Sequence, residues 1–224
     1  MKMKPAKISP SMMCADLLRT GEIIEEFNKQ GIEYLHIDVM DGCFVPNYAL
    51  SADYCKSIRR ITDIPLDIHL MITDPEEKIG WFSPLPGEIV SVHLESTKDA
   101  NKAFRLIRSY GALAYAAINP ETPPEVLLPY LDIIDGVLVM CVRPGFAGQQ
   151  MAPGSFEKIT AVRRLLDHAG RQDAGVEVDG NVSFENAAKM RRAGADLFVS
   201  GTSGVFSKNM ELRDSIPKFR EAIL

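Results

Sequence analysis

The 224-residue sequence has no apolar run approaching the roughly 18 residues that a bilayer-crossing helix needs, so no membrane partner is expected. Cysteine is sparse: Cys14, Cys43, Cys55 and Cys141 are scattered, with no paired spacing. That pattern argues against a disulfide framework and for a reduced, cytoplasmic setting. No strong basic cluster stands out and the formal net charge is -5, which argues against a nucleic-acid partner, although local positive groups could still hold a small anion. Met1-Lys-Met-Lys-Pro5 is basic but has no apolar core or cleavage site behind it, so it does not read as a signal peptide. No linker-like, repeat-rich or low-complexity stretch divides the chain, and one domain over residues 1–224 is expected. The first strand is not followed by G-x-G-x-x-G, which weakens an open dinucleotide-binding sheet. What remains, at 46% hydrophobic and 25% charged, suits a soluble protein with one sizeable core.

What is present is alternation. In Tyr34-Leu-His-Ile-Asp-Val-Met-Asp-Gly42, Leu35, Ile37 and Val39 share one parity while His36, Asp38 and Met40 share the other. Successive strand side chains point to opposite faces, so one face is aliphatic and the other polar. Pro65-Leu-Asp-Ile-His-Leu-Met71 repeats the pattern, placing Asp67, His69 and Met71 together. Short strands are expected at Lys7–Ser11, Tyr34–Asp38, Pro65–Met71, Ile89–His93, Leu113–Ile118, Gly136–Val142, Gly175–Val178 and Leu197–Ser200. Helical sequence is expected between them, over Asp16–Gln30, Ala52–Arg60, Pro75–Phe82, Asn101–Tyr110, Pro123–Tyr130, Ser155–His168 and Ser183–Ala193, with a last helix at the C-terminus. Eight strands, each followed by helix-capable sequence, describe an α/β fold of the (β/α)₈ TIM-barrel class, whose active sites gather at the C-terminal strand ends.

The strand ends supply the chemistry. His36, Asp38, His69 and Asp179 form a plausible four-ligand set for a divalent metal, of a mixed imidazole and carboxylate kind that suits zinc, iron(II), manganese or cobalt. His93 and Glu95 are expected to brace that set instead of joining it. Met40, Met71 and Met140 read from periodicity as ordinary core filler. Gly180-Asn-Val-Ser183 and Gly201-Thr-Ser-Gly204 follow the last two strands, where barrels present backbone N–H groups to a phosphate. Pro144-Gly-Phe-Ala-Gly-Gln149 reads as a lid, with glycines to hinge it and Phe146 to exclude water.

Taken together, Ile8-Ser-Pro-Ser11, His36-Ile-Asp-Val-Met-Asp-Gly42 with Phe44-Val-Pro-Asn47, Asp67-Ile-His-Leu-Met71, Pro144–Gln149, Glu177-Val-Asp-Gly180 and Gly201–Gly204 resemble the ribulose-phosphate 3-epimerase family. The resemblance implies one divalent cation, zinc in the first instance with Fe2+, Mn2+ or Co2+ as substitutes, held by His36, Asp38, His69 and Asp179. It implies that Asp38 and Asp179 are the catalytic pair, moving protons to and from C3 of a ketose phosphate through a metal-stabilised enediolate. It makes Ser11, His69, Met40, Met71 and Met140 substrate-binding. Gly148, Gly180, Gly201 and Thr202 would hold the phosphate, with Asn181 and the lid residues Gly145, Phe146 and Ala147 in the same phosphate-binding set. A homo-oligomer is implied as well. The expected substrate pair is D-ribulose 5-phosphate and D-xylulose 5-phosphate, with D-allulose 6-phosphate and D-fructose 6-phosphate as the alternative and a non-catalytic sugar-phosphate sensor as the rival. Arg143, Asn181 and Ala147 depart from the pentulose pattern, and Ala147, Asn119-Pro-Glu-Thr122 and Gly201–Gly204 look closer to the allulose-phosphate branch.

Overall fold

The structure, a computed structural model, describes residues 4–224, so the first three residues of the basic N-terminal stretch lie outside it. Eight strands form: β1 Lys7–Pro10, β2 Leu35–Met40, β3 Leu66–Met71, β4 Ile89–His93, β5 Leu113–Ile118, β6 Gly136–Met140, β7 Gly175–Asp179 and β8 Leu197–Ser200. All of their pairings are parallel, in the order β1-β8-β7-β6-β5-β4-β3-β2. The sheet nearly closes between β1 and β2, through a parallel bridge from Ser11 to His36 and a bond from the Tyr34 N–H to the Ile8 carbonyl at 3.3 Å. The result is a TIM barrel.

Parity explains its two layers. Leu35, Ile37 and Val39, with Ile68, Leu70, Val90 and Val92, join the large aliphatic core under the helices, where each fully buried side chain contributes about 1.5–3 kcal/mol. The other parity faces the barrel axis. Tyr34, Ile89, Tyr115 and Leu197 plug the end nearest the strand N-termini. Tyr115 fits there because its neighbours in register are glycines: a Cβ at Gly136 would fall 2.3 Å from its ring, and one at Gly175 2.2 Å from its hydroxyl.

The helices are α1 Thr20–Gln30, α2 Ala52–Ile58, α3 Ile79–Phe82, α4 Ala100–Ser109, α5 Ser155–His168, α6 Phe184–Ala193 and α7 Leu212–Ala222. Three expected helices are corrected. Asp16 does not begin a continuous helix; it caps a 3₁₀ turn over Leu17–Arg19, from which α1 starts. The Pro75–Phe82 segment splits into a 3₁₀ turn, Pro75–Glu77, and the single turn of α3. Pro124–Tyr130 is 3₁₀ throughout; Pro129 lies inside the segment and removes an N–H donor that an α-helix would use. Strand ends also differ by a residue or two: β2 runs on to Met40, and β6 stops at Met140 without reaching Val142.

Candidate active site

Register gathers the polar face. On the adjacent strands β2 and β3, Asp38 lies beside His69 and Met40 beside Met71, with His36 one pleat lower beside Asp67. On β6 and β7, Met140 lies beside Asp179. At the C-terminal end of the barrel, His36, Asp38, His69 and Asp179 each place a ligand-capable atom within 4.8 Å of the others. The His36 Nε2 is 3.4 Å from Asp38 Oδ1, and the His69 Nδ1 is 3.6 Å from the same oxygen and 3.8 Å from Asp179 Oδ2. Ser11 Oγ donates to the other Asp38 oxygen at 2.6 Å.

Each imidazole is held from behind. His36 Nδ1 donates to Asp67 Oδ2 at 2.6 Å, and Ser9 Oγ donates to the same oxygen at 2.8 Å. His69 meets His93 through their Nε2 atoms at 2.8 Å, and His93 Nδ1 faces Glu95 Oε2 at 3.3 Å. Glu95 is in turn fixed by the Asn119 N–H at 2.8 Å and by the Thr122 hydroxyl. Burial pushes the Glu95 carboxyl up, but its bonds to His93, Thr122 and Asn119 outweigh that and hold it down at about 2. A charged Glu95 keeps the His93 proton on Nδ1, so His93 Nε2 accepts and His69 donates from Nε2. His69 Nδ1 is thereby left with a free lone pair, and His36, whose Nδ1 is spent on Asp67, offers one at Nε2 once that nitrogen gives up its proton; neither atom has a hydrogen-bond partner, and both are buried. Ligating histidines are commonly fixed in tautomer by such outer bonds. His93 and Glu95 stand behind His69, outside the four-residue cluster.

The electrostatics fit a cation. Burial is the largest influence on His36 and lowers its pKa, yet the Asp67 and Asp38 carboxylates outweigh it and raise the imidazole well above its usual range. Burial likewise pushes Asp38 up, but His36 and His69 hold it well below the carboxylate range. Asp179 is displaced the other way, raised by burial and by the Asp38 charge. Glu177 lies beneath the cluster, its Oε1 3.6 Å from His36 Nδ1, and is raised well above the carboxylate range by burial and then by Asp67. The negative field that draws a proton onto His36 is the field a divalent cation would satisfy. Two imidazole lone pairs with two carboxylates make a donor set of the zinc, iron or manganese type.

The mouth above this cluster is lined by Ser11, Asp38, the three methionines, Gly145 to Gly148, Asp179, Gly180, Asn181, Gly201 and Thr202. His36 and His69 are fully buried below it. Met40 and Met71 pack with Val45, and Met140 packs with Ala117 and Leu138, so all three stand inside the barrel, apart from the aliphatic core. Gly180 needs its missing side chain: its φ is +103° and a Cβ would lie 2.5 Å from Val142. The lid is tied down at two carbonyls. Asn47 Nδ2 donates to Gly145 O and Asn181 Nδ2 to Gln149 O, both at 2.7 Å. Asn186 Nδ2 donates to Asn181 Oδ1 at 2.8 Å and orients it. Phe146 lines the mouth but remains 53% exposed. Arg143 pairs with Glu121 at 2.7 Å on the outer rim. Sequence reading gave no role to Asn47, Glu177 or Cys14, which also lines the mouth. For Glu177 the signal was available, because it shares the parity of Asp179 on β7.

Comparison with known proteins gives one consistent result. The profile described as the ribulose-phosphate 3 epimerase family matches residues 7–206. Ribulose-phosphate 3-epimerase of Bacillus subtilis (strain 168) is 40% identical over 197 residues, covering 88% of this chain and 91% of that protein. The Synechocystis enzyme of the same name is 37% identical, covering 96% of this chain and 90% of that protein. Solved structures with the same fold include 3-hexulose-6-phosphate synthase from Salmonella typhimurium, with a TM-score of 0.67, 12% identity and coverage of 97% of this chain and 98% of that one. Orotidine 5'-phosphate decarboxylase from Pyrococcus horikoshii OT3 is similar, with a TM-score of 0.67, 13% identity and coverage of 96% and 98%.

Proposed function

From the premise that the chain belongs to the ribulose-phosphate 3-epimerase family, and is therefore an isomerase acting as a ketose-phosphate 3-epimerase, we propose how its residues divide the work. The proposed substrate pair is D-ribulose 5-phosphate and D-xylulose 5-phosphate. Asp38 and Asp179 are the two acid/base groups. The observation that carries this is their placement: both carboxyls open onto one cavity, from β2 and β7, strands that β1 and β8 separate in the barrel. Inversion at C3 requires one group to remove the proton on one face and another to return a proton on the opposite face. Either epimer can enter, so the two aspartates exchange roles between directions.

His36, Asp38, His69 and Asp179 would hold the divalent cation, zinc in our reading. When bound, it supplies Lewis-acid stabilisation of the negative charge that develops on the substrate oxygens at C2 and C3. Ser11, hydrogen-bonded to Asp38, orients that carboxylate and reaches the substrate. Met40, Met71 and Met140 wall the planar enediolate and keep water from it. Backbone N–H groups around Gly180, Gly201 and Thr202 receive the phosphate, and the loop from Gly145 to Gly148 covers it. We further infer one domain over the whole chain. The four unpaired cysteines support a reducing, cytoplasmic setting. Leu18, 98% exposed, and Trp81, 63% exposed, support a homo-oligomer.

The test is exchange of the substrate C3 proton in D₂O, followed by NMR on the metal-loaded protein with ribulose 5-phosphate. Deuterium at C3 with formation of xylulose 5-phosphate is expected. Asp179→Asn should lower that rate by three orders of magnitude or more at unchanged thermal midpoint, and a near-normal rate would remove Asp179 from the pair. Faster exchange with allulose 6-phosphate would reassign the substrate, and no exchange with either sugar would leave a sensor.

A further inference from the structure

At the opposite end of the barrel from the mouth, α5 and α6 enclose a cavity of about 350 Å³. Lys4, Arg163, Arg164, Arg191 and Arg192 line it, against Asp196 as the single acid, in a chain whose net charge is -5. Three of these cations already have internal duties. Lys4 Nζ donates to the Asp173 and Ala174 carbonyls at 2.6 Å. Arg163 binds Asp167 at 2.8 Å and donates to the Ala174 carbonyl at 2.8 Å. Arg191 donates to the Ala195 carbonyl at 3.1 Å and to the Lys4 carbonyl at 2.5 Å, while its buried Nε has no partner. Gly194, at φ +114°, keeps the floor open beneath the Arg163 stem, because a Cβ there would lie 2.7 Å from Arg163 Cγ.

Arg164 and Arg192 are different. Both are exposed, and among the described residues neither makes an ion pair or a side-chain hydrogen bond. A cluster meant only to offset the α6 C-terminus would not need both of them on one concavity, unpaired. Planar guanidinium groups with several N–H donors each are the usual partners of a phosphate. The volume falls in the range of small-molecule sites, about 300–1,000 Å³, and the arginine stems with Ala193 and Thr160 provide apolar wall. We propose that this cavity is a second, non-catalytic site for a phosphate monoester with a compact organic body, gripped by Arg164 and Arg192. Proton transfer has no use for it, and it shares no lining residue with the mouth.

The experiment is calorimetric titration of the full-length, metal-loaded protein with phenyl phosphate. Two sites are expected in the wild type, the catalytic cradle and this cavity. In Arg164→Glu/Arg192→Glu one site should weaken at least 10-fold and the other remain, with turnover of the ketose phosphate unchanged in the absence of phenyl phosphate. Should the charge reversal lower the thermal midpoint, Arg164→Gln/Arg192→Gln asks the same question without reversing charge. Inorganic phosphate should bind the cavity at least 10-fold more weakly than phenyl phosphate. A single site in the wild type, a second site untouched in both double variants, or equal affinity for the two probes would each overturn the proposal.

Discussion

Removing His93 leaves the Nε2–H of His69 without the acceptor that lies 2.8 Å away, at a fully buried position. The ring is then free to turn or to change tautomer, and Nδ1 no longer faces Asp38 and Asp179 by default. His93→Ala should therefore weaken metal binding about 10–100-fold, measured by competition with a chromogenic chelator. Unchanged affinity would make His93 a packing residue only. Asp41 offers a test of a different kind. Burial raises its carboxyl, but the Thr73, Phe44 and Cys43 N–H groups together hold it down at about 2. A folded pKa below the unfolded value of about 3.9 gives stability that is present above pH 4 and is lost as pH falls toward 2. Asp41→Asn should cost about 1–2 kcal/mol in urea unfolding at pH 7, and that difference should vanish near pH 2. A difference that persists there would mean lost packing, with no contribution from charge.

Among the elements, the loop after β6 is the one whose position follows from side chains far away in the sequence. Asn181 sits at φ +52°, an uncommon conformation for a residue other than glycine, with its amide shared between Gln149 and Asn186. Its side chain serves the lid, and glycine would accept the same backbone while cutting the tether. One hydrogen bond is worth about 0.5–1.5 kcal/mol, so Asn181→Gly should raise KM for the ketose phosphate about 2–10-fold and leave kcat nearly unchanged. A fall in kcat at constant KM would place Asn181 in the chemistry instead. The Lys158 ammonium, bonded to the Asn119, Pro120 and Thr122 carbonyls, ties the loop after β5 to α5 in the same way. Such ties explain how 3₁₀ and irregular segments keep the mouth in shape without helical hydrogen bonding.

For the whole molecule, the proposed metal set would link cation binding to stability. Its donors come from β2, β3 and β7, so the complete set exists only when the barrel is closed, and a cation held there would bind the folded chain in preference to the unfolded one. Stability should rise by about 2.7 kcal/mol at a free metal concentration 100 times Kd. The thermal midpoint should drop on treatment with EDTA and recover with zinc. A midpoint indifferent to EDTA would mean that the cluster holds no cation of consequence.

The strands, their order of appearance, the shared parity of His36 with Asp38 and of Asp67 with His69, and the place of Asp179 at a strand end were legible from sequence, because a period of two is a local property and each strand declares its own two faces. The glycine-rich ends of β7 and β8 were legible for a similar reason, since a residue without Cβ marks a turn or a close approach wherever it lies. Closure of the barrel decided the rest. It set Asp67 and Glu177 under His36, fixed the tautomers through Glu95 and His93, and brought Asn47 to Gly145 across 98 positions. It also assembled Lys4, Arg163, Arg164, Arg191 and Arg192 around one cavity, from three segments that show no strong basic run. Neighbours made by closure leave no periodic trace in the chain, because their separation in sequence is set by the lengths of the intervening helices and loops and not by the repeat of any one element.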